Sequence, residues 1–125
     1  MSAALLLALA LQASPAWQSL GSHENIEIAY DPASLRRIGE HRLSVRVRGI
    51  IATPGRDTVK TATGAIEIDC AAGTFTPVEV RALDANGGLI INALIPAAER
   101  VAVPIRPASP NAAVRDAVCG AARGQ

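Results

Sequence analysis

Apolar and polar residues alternate along much of this chain, which is the pattern of β-strands with one face in water. The alternation is clearest over residues 42–51, where Leu43, Val45 and Val47 share one face and polar residues occupy the other. Residues 89–95 are mainly apolar on both faces, which predicts a central strand. Shorter or less regular strands are predicted at 17–20, 26–30, 58–70, 74–83 and 101–105.

Turn signals separate these strands. Asn86-Gly87 favours a type I′ turn between two strands of a hairpin. Pro77 predicts an edge position or a bulge, because proline has no backbone N–H to donate. Residues 33–38 are predicted to form a brief helical turn, and residues 53–57 a loop.

A helix is predicted after the last strand. Ser109 can cap it, Pro110 suits its first position, and Gly120 is expected to end it just after Cys119. The apolar stripe of this helix consists of Ala113, Val114, Ala117 and Val118. Because strands come first and a helix last, the sequence predicts the α+β class, with a mostly antiparallel β-sheet and a C-terminal helix.

Residues 1–16 have the layout of a secretory signal peptide. Ala3 to Leu11 is an unbroken apolar run, and Ser14 and Ala16 are the small residues expected before a cleavage site, although no basic residue precedes the run. The run is too short for a spanning helix, which needs about 20 apolar residues; a short buried helix is the other alternative. Cleavage leaves a single domain, residues 17–125, periplasmic or secreted and without a membrane span.

Composition narrows the classes of function. The net charge is +1 and only 2% of the residues are aromatic. Nucleic-acid-binding domains usually carry a strong positive charge or aromatic rings that stack on bases, so nucleic acid is not an expected partner. A core that has so few aromatic rings to bury is expected to need a covalent staple.

Cys70 and Cys119 are the only two cysteines. In an exported protein they are predicted to form one disulfide, because disulfides persist in oxidising compartments. Closing a loop of this length contributes on the order of 4 kcal/mol in the chain-entropy model. Their spacing matches neither the Cys-x-x-Cys of redox pairs nor a four-ligand zinc site, which are the alternative roles.

Few residues are candidates for catalysis. A hydrolase usually needs a nucleophile and a histidine base, but His23 and His41 lie near no nucleophile motif. The same histidines with Glu24 are weak candidates for a metal site, since surface histidines are usually just solvated. Gly87-Gly88 lacks the lysine of a phosphate-binding loop and is typical of a hairpin turn. We therefore predict no catalytic residue, no metal site and no cofactor.

Five arginines form the one cluster that suggests a ligand. Arg42, Arg46 and Arg48 share a strand face, and Arg36 and Arg37 precede them. They are candidates for binding an anionic envelope or matrix component, such as lipopolysaccharide or a sulfated glycan. The alternative is a solvated face on which cross-strand pairs neutralise the arginines. The acidic residues available for such pairs are Glu67, Asp69 and Glu79.

Short motifs in a fixed order span about the whole chain after residue 16. They are Trp17, Tyr30-Asp31-Pro32, Ser34-Leu35-Arg36-Arg37, Asp69-Cys70, Asp84 with Gly87-Gly88, and Val118-Cys119. In these motifs the chain resembles the surface-adhesin protein E family of small exported bacterial domains. The resemblance implies an antiparallel sheet with a C-terminal helix tied to it by the disulfide. The chain departs from the family in its aromatic residues, since only Phe75 follows Cys70.

The sequence thus predicts a non-enzymatic, exported binding or structural module of the cell envelope. Its partner is an unknown protein or the anionic component described above, and adhesion is one form that such binding takes. The alternative is a periplasmic or secreted inhibitor or accessory subunit that acts on another protein. An exposed apolar edge at residues 89–95 would favour a protein partner, whereas unpaired arginines would favour a glycan or a lipid. The oligomeric state is left open.

Overall fold

A computed structural model of the protein describes residues 16–52 and 59–123. The predicted signal peptide, apart from Ala16, and the predicted loop at 53–57 lie outside these ranges. The strands are β1 (Gln18–His23), β2 (Ile26–Arg37), β3 (Arg42–Ile51), β4 (Thr61–Asp69), β5 (Thr74–Leu83), β6 (Leu89–Leu94) and β7 (Val103–Pro104). A 3-10 turn at Ala97–Glu99 precedes β7, and helix α1 spans Pro110–Arg123.

The strands form one antiparallel sheet in the order β1-β2-β3-β4-β5-β6. The short strand β7 also pairs with β5, at Thr74 and Phe75, where β4 occupies the other side. Strands β6 and β7 therefore follow one another along the same edge of β5. This arrangement confirms the predicted α+β class with an antiparallel sheet and a C-terminal helix.

The two faces of the sheet differ. Residues that pair across neighbouring strands share a face, so Val45 lies beside Ile66, and Leu43 beside Ile68. Helix α1 packs on this side, mainly against β1, β2 and β3; we call it the helix face and the opposite side the open face. The core consists of Ile28, Tyr30, Leu43, Val45, Ile66, Ile68, Ile105, Ala112, Val114, Val118 and Cys119.

Helix α1 begins as the sequence predicts but ends later. The Ser109 hydroxyl accepts a hydrogen bond from the Ala112 N–H, and Pro110 occupies the first position. The predicted end at Gly120 is wrong, because the helix continues to Arg123. Gly120 is exposed, and a Cβ placed on it would meet no atom within 4 Å. Its φ is not positive, so this glycine does not take the left-handed conformation that usually ends a helix.

The disulfide between Cys70 and Cys119 is present, with an S–S distance of 2.02 Å and a Cα–Cα distance of 6.0 Å. It links the residue after β4 to a buried position of α1. The predicted covalent staple is confirmed.

The helical turn predicted at 33–38 is wrong, because these residues mostly extend β2. The register between β2 and β3 shifts after Asp31, which forms a bulge. Inside the bulge the Asp31 carboxylate accepts a hydrogen bond from the Ala33 N–H, and the Ser34 hydroxyl accepts one from the Arg46 N–H. These contacts satisfy the backbone without a helix.

Hairpin turns join β1 to β2 and β5 to β6, and the second of them differs from the prediction. Glu24 and Asn25 both have positive φ, at 55° and 64°, and form the β1–β2 turn. Asn86 does not have positive φ, so the type I′ prediction is wrong there. Instead the Asp84 carboxylate accepts hydrogen bonds from the N–H groups of Asn86 and Gly88.

The bulge predicted at Pro77 is confirmed. The β4–β5 register shifts next to it, so that Val78 is the extra residue. Residues 89–95 were predicted to form a central strand, and this prediction is wrong. Strand β6 lies at the edge of the sheet, and five of its six residues are exposed.

Candidate functional site

The arginine cluster is the first candidate, and two of its members form ion pairs on the open face. Arg42 Nη2 lies 2.6 Å from Glu67 Oε1, and Arg46 Nη1 lies 3.2 Å from Glu79 Oε2. The first pair is diagonal, since Arg42 is directly opposite Asp69. The second reaches straight across β4, since Arg46 and Glu79 are both opposite Ala65. Asp69 accepts hydrogen bonds from the turn that follows it. The positive charge of this face is therefore largely balanced locally.

Arg48 has an aromatic partner. Its guanidinium carbon lies 5.2 Å from the centre of the Trp17 ring, which is within the range of a cation–π contact. The Arg48 Nε is buried and makes no hydrogen bond among the described residues. The ring covers part of this head group and limits its access to a ligand.

Arg36 and Arg37 lie on opposite faces near the end of β2. Arg36 pairs in register with Ser44 on the open face, whereas Arg37 pairs with Leu43 on the helix face. Within residues 16–52 and 59–123, neither forms an ion pair with a carboxylate. The five arginines thus do not converge on one site.

Arg37 lines an open cavity of about 490 Å³ beside the disulfide. His41 stands at its rim, and Leu43 contributes to its apolar lining. His41 Nε2 is 3.9 Å from the carboxylate of its neighbour Glu40, and both side chains are largely exposed. The cavity is large enough for a small molecule, but its charged and imidazole side chains are exposed on the surface rather than buried and converging.

The two histidines occupy opposite ends of the sheet. His23 closes β1 at the β1–β2 turn and its Nε2 lies 3.0 Å from the Leu20 carbonyl. His41 precedes β3, at the other end of β2. Over the described ranges there is no group of three or more metal-ligating side chains. No helix of that part of the chain is long and apolar enough to cross a membrane.

The most unusual surface is the edge made by β6 and the segment up to β7. It exposes six large aliphatic side chains, several of them more than half exposed: Leu94 at 70%, Val101 at 67% and Leu89 at 57%. Soluble proteins rarely leave a contiguous apolar patch in water unless it binds something. We call this set the β6 edge, and its members are Leu89, Ile90, Ile91, Leu94, Val101 and Val103.

The backbone of the β6 edge is also available. The Ile95 N–H donates to the Val78 carbonyl over 2.8 Å. Since inward and outward groups alternate along an antiparallel strand, the N–H and C=O of Asn92 and Leu94 point away from β5. No further strand pairs with β6 among the described residues.

This edge has few of the features that usually block strand pairing. Natural edge strands are protected by charged side chains, prolines, bulges or a covering element. Residues 89–95 contain no charge and no proline, and Asn92 is their only polar residue. One protective feature, a bulge, is present: Ile90 is an extra residue where the β5–β6 register shifts. The regular part from Ile91 to Leu94 remains open.

The sequence predicted the arginine cluster, but it placed residues 89–95 in the middle of the sheet rather than at its edge. The apolar run at 89–95 was visible, yet a strand buried on both faces and a strand exposed for binding have the same hydrophobic pattern. The run also contains no charged residue, but this is true both of a core strand and of a strand that binds another chain. Only the pairing order separates the two.

Comparisons with known proteins bear on the fold. A scan against protein-family models finds no match, and a search of curated proteins finds no significant match. Among solved structures, the fold is similar to the crystal structure of protein E from non-typeable Haemophilus influenzae, with a TM-score of 0.52. The match covers 87% of this chain and 78% of that chain at 11% sequence identity. At this identity the likeness is one of fold alone.

Proposed function

We propose that this protein is a non-enzymatic, exported module of the cell envelope that binds another protein chain by strand pairing at the β6 edge. The main support is that one uncharged strand presents both exposed aliphatic side chains and backbone groups that point away from the sheet. Strand addition uses these two features together: the backbone supplies affinity, and alternate side chains supply specificity.

Export is part of the proposal. The apolar run at the start of the chain motivates it, and the disulfide supports it, since such bonds are rare in reducing compartments. The envelope setting itself comes from the sequence resemblance to the surface-adhesin protein E family of exported domains. The non-enzymatic part rests on the sequence, in which neither His23 nor His41 lies near a nucleophile motif, whereas a hydrolytic site usually joins a histidine to a nucleophile.

Site-specific photo-crosslinking in cells that express the full chain tests this function. A photo-reactive residue replaces Leu94 on the β6 edge, and a matched variant carries it at Gln18, an exposed position on the opposite edge strand β1. We expect position 94 to give a discrete crosslinked protein band and position 18 to give none. No band from 94, or equal bands from both positions, would contradict the proposal.

The identity of the crosslinked partner also distinguishes an envelope module from an inhibitor or accessory subunit. A structural or adhesive protein favours the envelope module, whereas an enzyme whose activity changes on binding favours an inhibitor or accessory subunit. The β6 edge fits both, because strand pairing reads backbone and apolar shape rather than the partner's chemistry.

We propose, as a second function, that the protein binds an anionic envelope or matrix component through its exposed arginines. Its support is that Arg36 and Arg37 are exposed and make no ion pair within the described part of the chain. Because they lie on opposite faces, each would contact such a ligand separately. Arg42 and Arg46 are occupied by carboxylates, so they would contribute only if a ligand displaced Glu67 and Glu79. This proposal is independent of the β6 edge.

A further inference from the structure

We infer that the chain bound at the β6 edge carries an acidic residue beside Asn92, and that Arg81 binds the carboxylate of this residue. The inference rests on the proposed function and states the chemistry of the partner segment. Arg81 is an exposed residue of β5, the strand next to β6. Among the described residues its side chain forms no ion pair and no hydrogen bond. An unpaired cation therefore lies one strand inside an uncharged edge.

The sheet offers Arg81 no free carboxylate on its inner side. Arg81 is opposite Thr63, and Thr63 is in turn opposite Arg48, a second cation. Glu79 lies two residues before Arg81 on the same face, but Arg46 already binds it over 3.2 Å. Because like charges repel and opposite charges attract, a carboxylate partner for Arg81 is best placed on the outer side, beyond β6.

The sheet already contains an ion pair of the geometry that this recognition needs. Arg46 on β3 and Glu79 on β5 are both opposite Ala65 of β4, and their side chains meet across that short residue. Asn92 stands in the same relation to Arg81, because it is opposite Arg81 on β6 and would lie between it and an added strand. In both cases two strand spacings, about 10 Å between Cα atoms, separate the partners. A glutamate in the added strand is therefore within reach of Arg81.

The backbone of Asn92 fixes the position of this acidic residue. Its N–H and C=O point away from β5, so the residue directly opposite it in an antiparallel strand exchanges two hydrogen bonds with it. The side chain of that residue lies on the open face beside the Asn92 amide, which is a further donor. Its two neighbours fall beside Ile91 and Ala93, on the helix face. The partner segment is thus an apolar strand with one carboxylate at its centre.

The other charged groups near β6 lie at its two ends. Arg100 donates from Nε to the carbonyl of Ile95, and Glu99 next to it carries the opposite charge. At the other end the Asp84 carboxylate accepts hydrogen bonds within its own turn. Arg81 is in register with the middle of the strand, so it is the group that gives the edge a preference for an acidic partner.

Synthetic peptides test this recognition. The probe is the fluorescently labelled peptide Val-Thr-Val-Glu-Val-Thr-Val, capped at both ends, and its matched forms carry Gln or Lys at the centre. Fluorescence anisotropy measures their binding to the purified, disulfide-intact protein. We expect the Glu peptide to bind about two- to fivefold more tightly than the Gln peptide, which is the effect of a partly exposed ion pair. The Lys peptide should bind more weakly than either.

A charge swap assigns the preference to Arg81. Arg81→Glu is expected to reverse the order, so that the Lys peptide binds more tightly than the Glu peptide. The milder Arg81→Gln should bind the Glu and Gln peptides equally. Arg115→Glu is the matched control, because it changes the net charge equally but lies on α1, which packs mainly against β1, β2 and β3. It should keep the order of the wild type. Since Arg81 is exposed, the fold is expected to tolerate both changes, and melting temperature verifies it.

The peptide series also distinguishes failure of this inference from failure of the proposed function. Methylation of the backbone nitrogen of the central Glu keeps the carboxylate but removes the N–H that donates to Asn92, so strand pairing predicts loss of binding. A methylated peptide that binds as tightly as its parent would contradict strand pairing itself.

Three results would overturn the inference while strand pairing stands. One is equal binding of the Glu, Gln and Lys peptides, lost on methylation in each case. Another is a preference for the Glu peptide that persists in folded Arg81→Glu. The third is no binding of the Glu peptide to a wild type that still gives the crosslinked band from position 94.

Discussion

Arg106 holds Glu24 in a two-pronged ion pair: Nη1 donates to Oε2 and Nη2 to Oε1, both over 2.9 Å. The two residues are 82 positions apart in the sequence. Arg106 lies in the segment that leads into α1, and Glu24 lies in the β1–β2 turn. The pair therefore links the segment that enters the helix to one end of the sheet. The hydrogen bonds from Arg106 are the main reason that the pKa of Glu24 is lowered.

This pair makes stability depend on pH. A carboxyl group whose pKa is lower in the folded state than in the unfolded state stabilises the fold above its ordinary pKa of 4.5. That contribution is lost as pH falls through the lowered value. We expect Glu24→Gln to reduce the melting temperature slightly near neutral pH, and the difference from wild type to shrink as pH falls through the lowered pKa of Glu24. Thermal scans across pH measure it.

Glu27→Gln is the matched control for this prediction, because Glu27 is also exposed, lies in the next strand and makes no ion pair among the described residues. It should leave the melting temperature near that of the wild type. Added salt should reduce the Glu24→Gln effect, since exposed charges are screened over about 10 Å at 0.1 M. An effect equal at neutral and acid pH would exclude the ion pair as its cause.

Loss of the disulfide should destabilise the protein much more. The bond closes a loop with a sequence separation of 49, which corresponds to about 4 kcal/mol in the chain-entropy model. We expect Cys70→Ser/Cys119→Ser to lower the melting temperature by roughly 15–30 °C, at about 4–8 °C per kcal/mol for a domain of this size. Cys119→Ser alone should do at least as much, because it also leaves a free thiol. Two reactive thiols in the folded, exported wild type would contradict the prediction.

The open-face arginines should matter for stability more than for binding. We expect Arg42→Gln/Arg46→Gln/Arg48→Gln to lower the free energy of unfolding by about 0.2–1 kcal/mol per lost ion pair. Partner binding at the β6 edge should not change. Denaturant unfolding and the position-94 crosslink measure the two effects. Loss of the crosslink in a folded triple variant would show that the open face takes part in that interaction.

The second proposal has its own comparison. If an anionic component binds near Arg36 and Arg37, Arg36→Gln/Arg37→Gln should elute from a sulfated-glycan column at lower salt than the wild type. The triple variant at Arg42, Arg46 and Arg48 should then elute closer to the wild type, because two of its arginines are already paired. A larger shift for the triple variant would assign the ligand to Arg42, Arg46 and Arg48 instead. If the column does not retain the wild type, the proposal is wrong.

Export remains a prediction from the first 16 residues. Protein recovered from the periplasm or the medium is expected to begin at Trp17 or within a few residues of it, which N-terminal sequencing determines. Cleavage there keeps the ring that covers Arg48. Full-length protein confined to the cytosol would contradict both the cleavage and the envelope role.

Several features follow from local chemistry and were predicted correctly. The period-two pattern of β3 was sufficient because each apolar residue needs only a buried face, whatever strand lies next to it. Ser109 and Pro110 placed the start of α1, since a cap acts through N–H groups a few residues away. The disulfide followed from there being two cysteines in a chain predicted to be exported.

Other features depended on contacts between distant residues. The turn predicted at 33–38 became a bulged strand because Ser34 accepts a hydrogen bond from Arg46, on the next strand. Arg42 selected Glu67 over the directly opposite Asp69, whose carboxylate was already used by its own turn. A one-dimensional pattern lists possible partners but not their geometry.

The candidate site itself was decided by tertiary structure. The sequence determined that residues 89–95 are apolar and uncharged, which is equally true of a central strand and of an edge that binds another chain. What separates the two is whether a strand pairs on each side, and that depends on how all seven strands order themselves in the sheet. The hydrophobicity of a side chain indicates that it is more stable when removed from water. Only the folded sheet shows whether other residues of the same chain bury that side chain or leave it exposed to a partner.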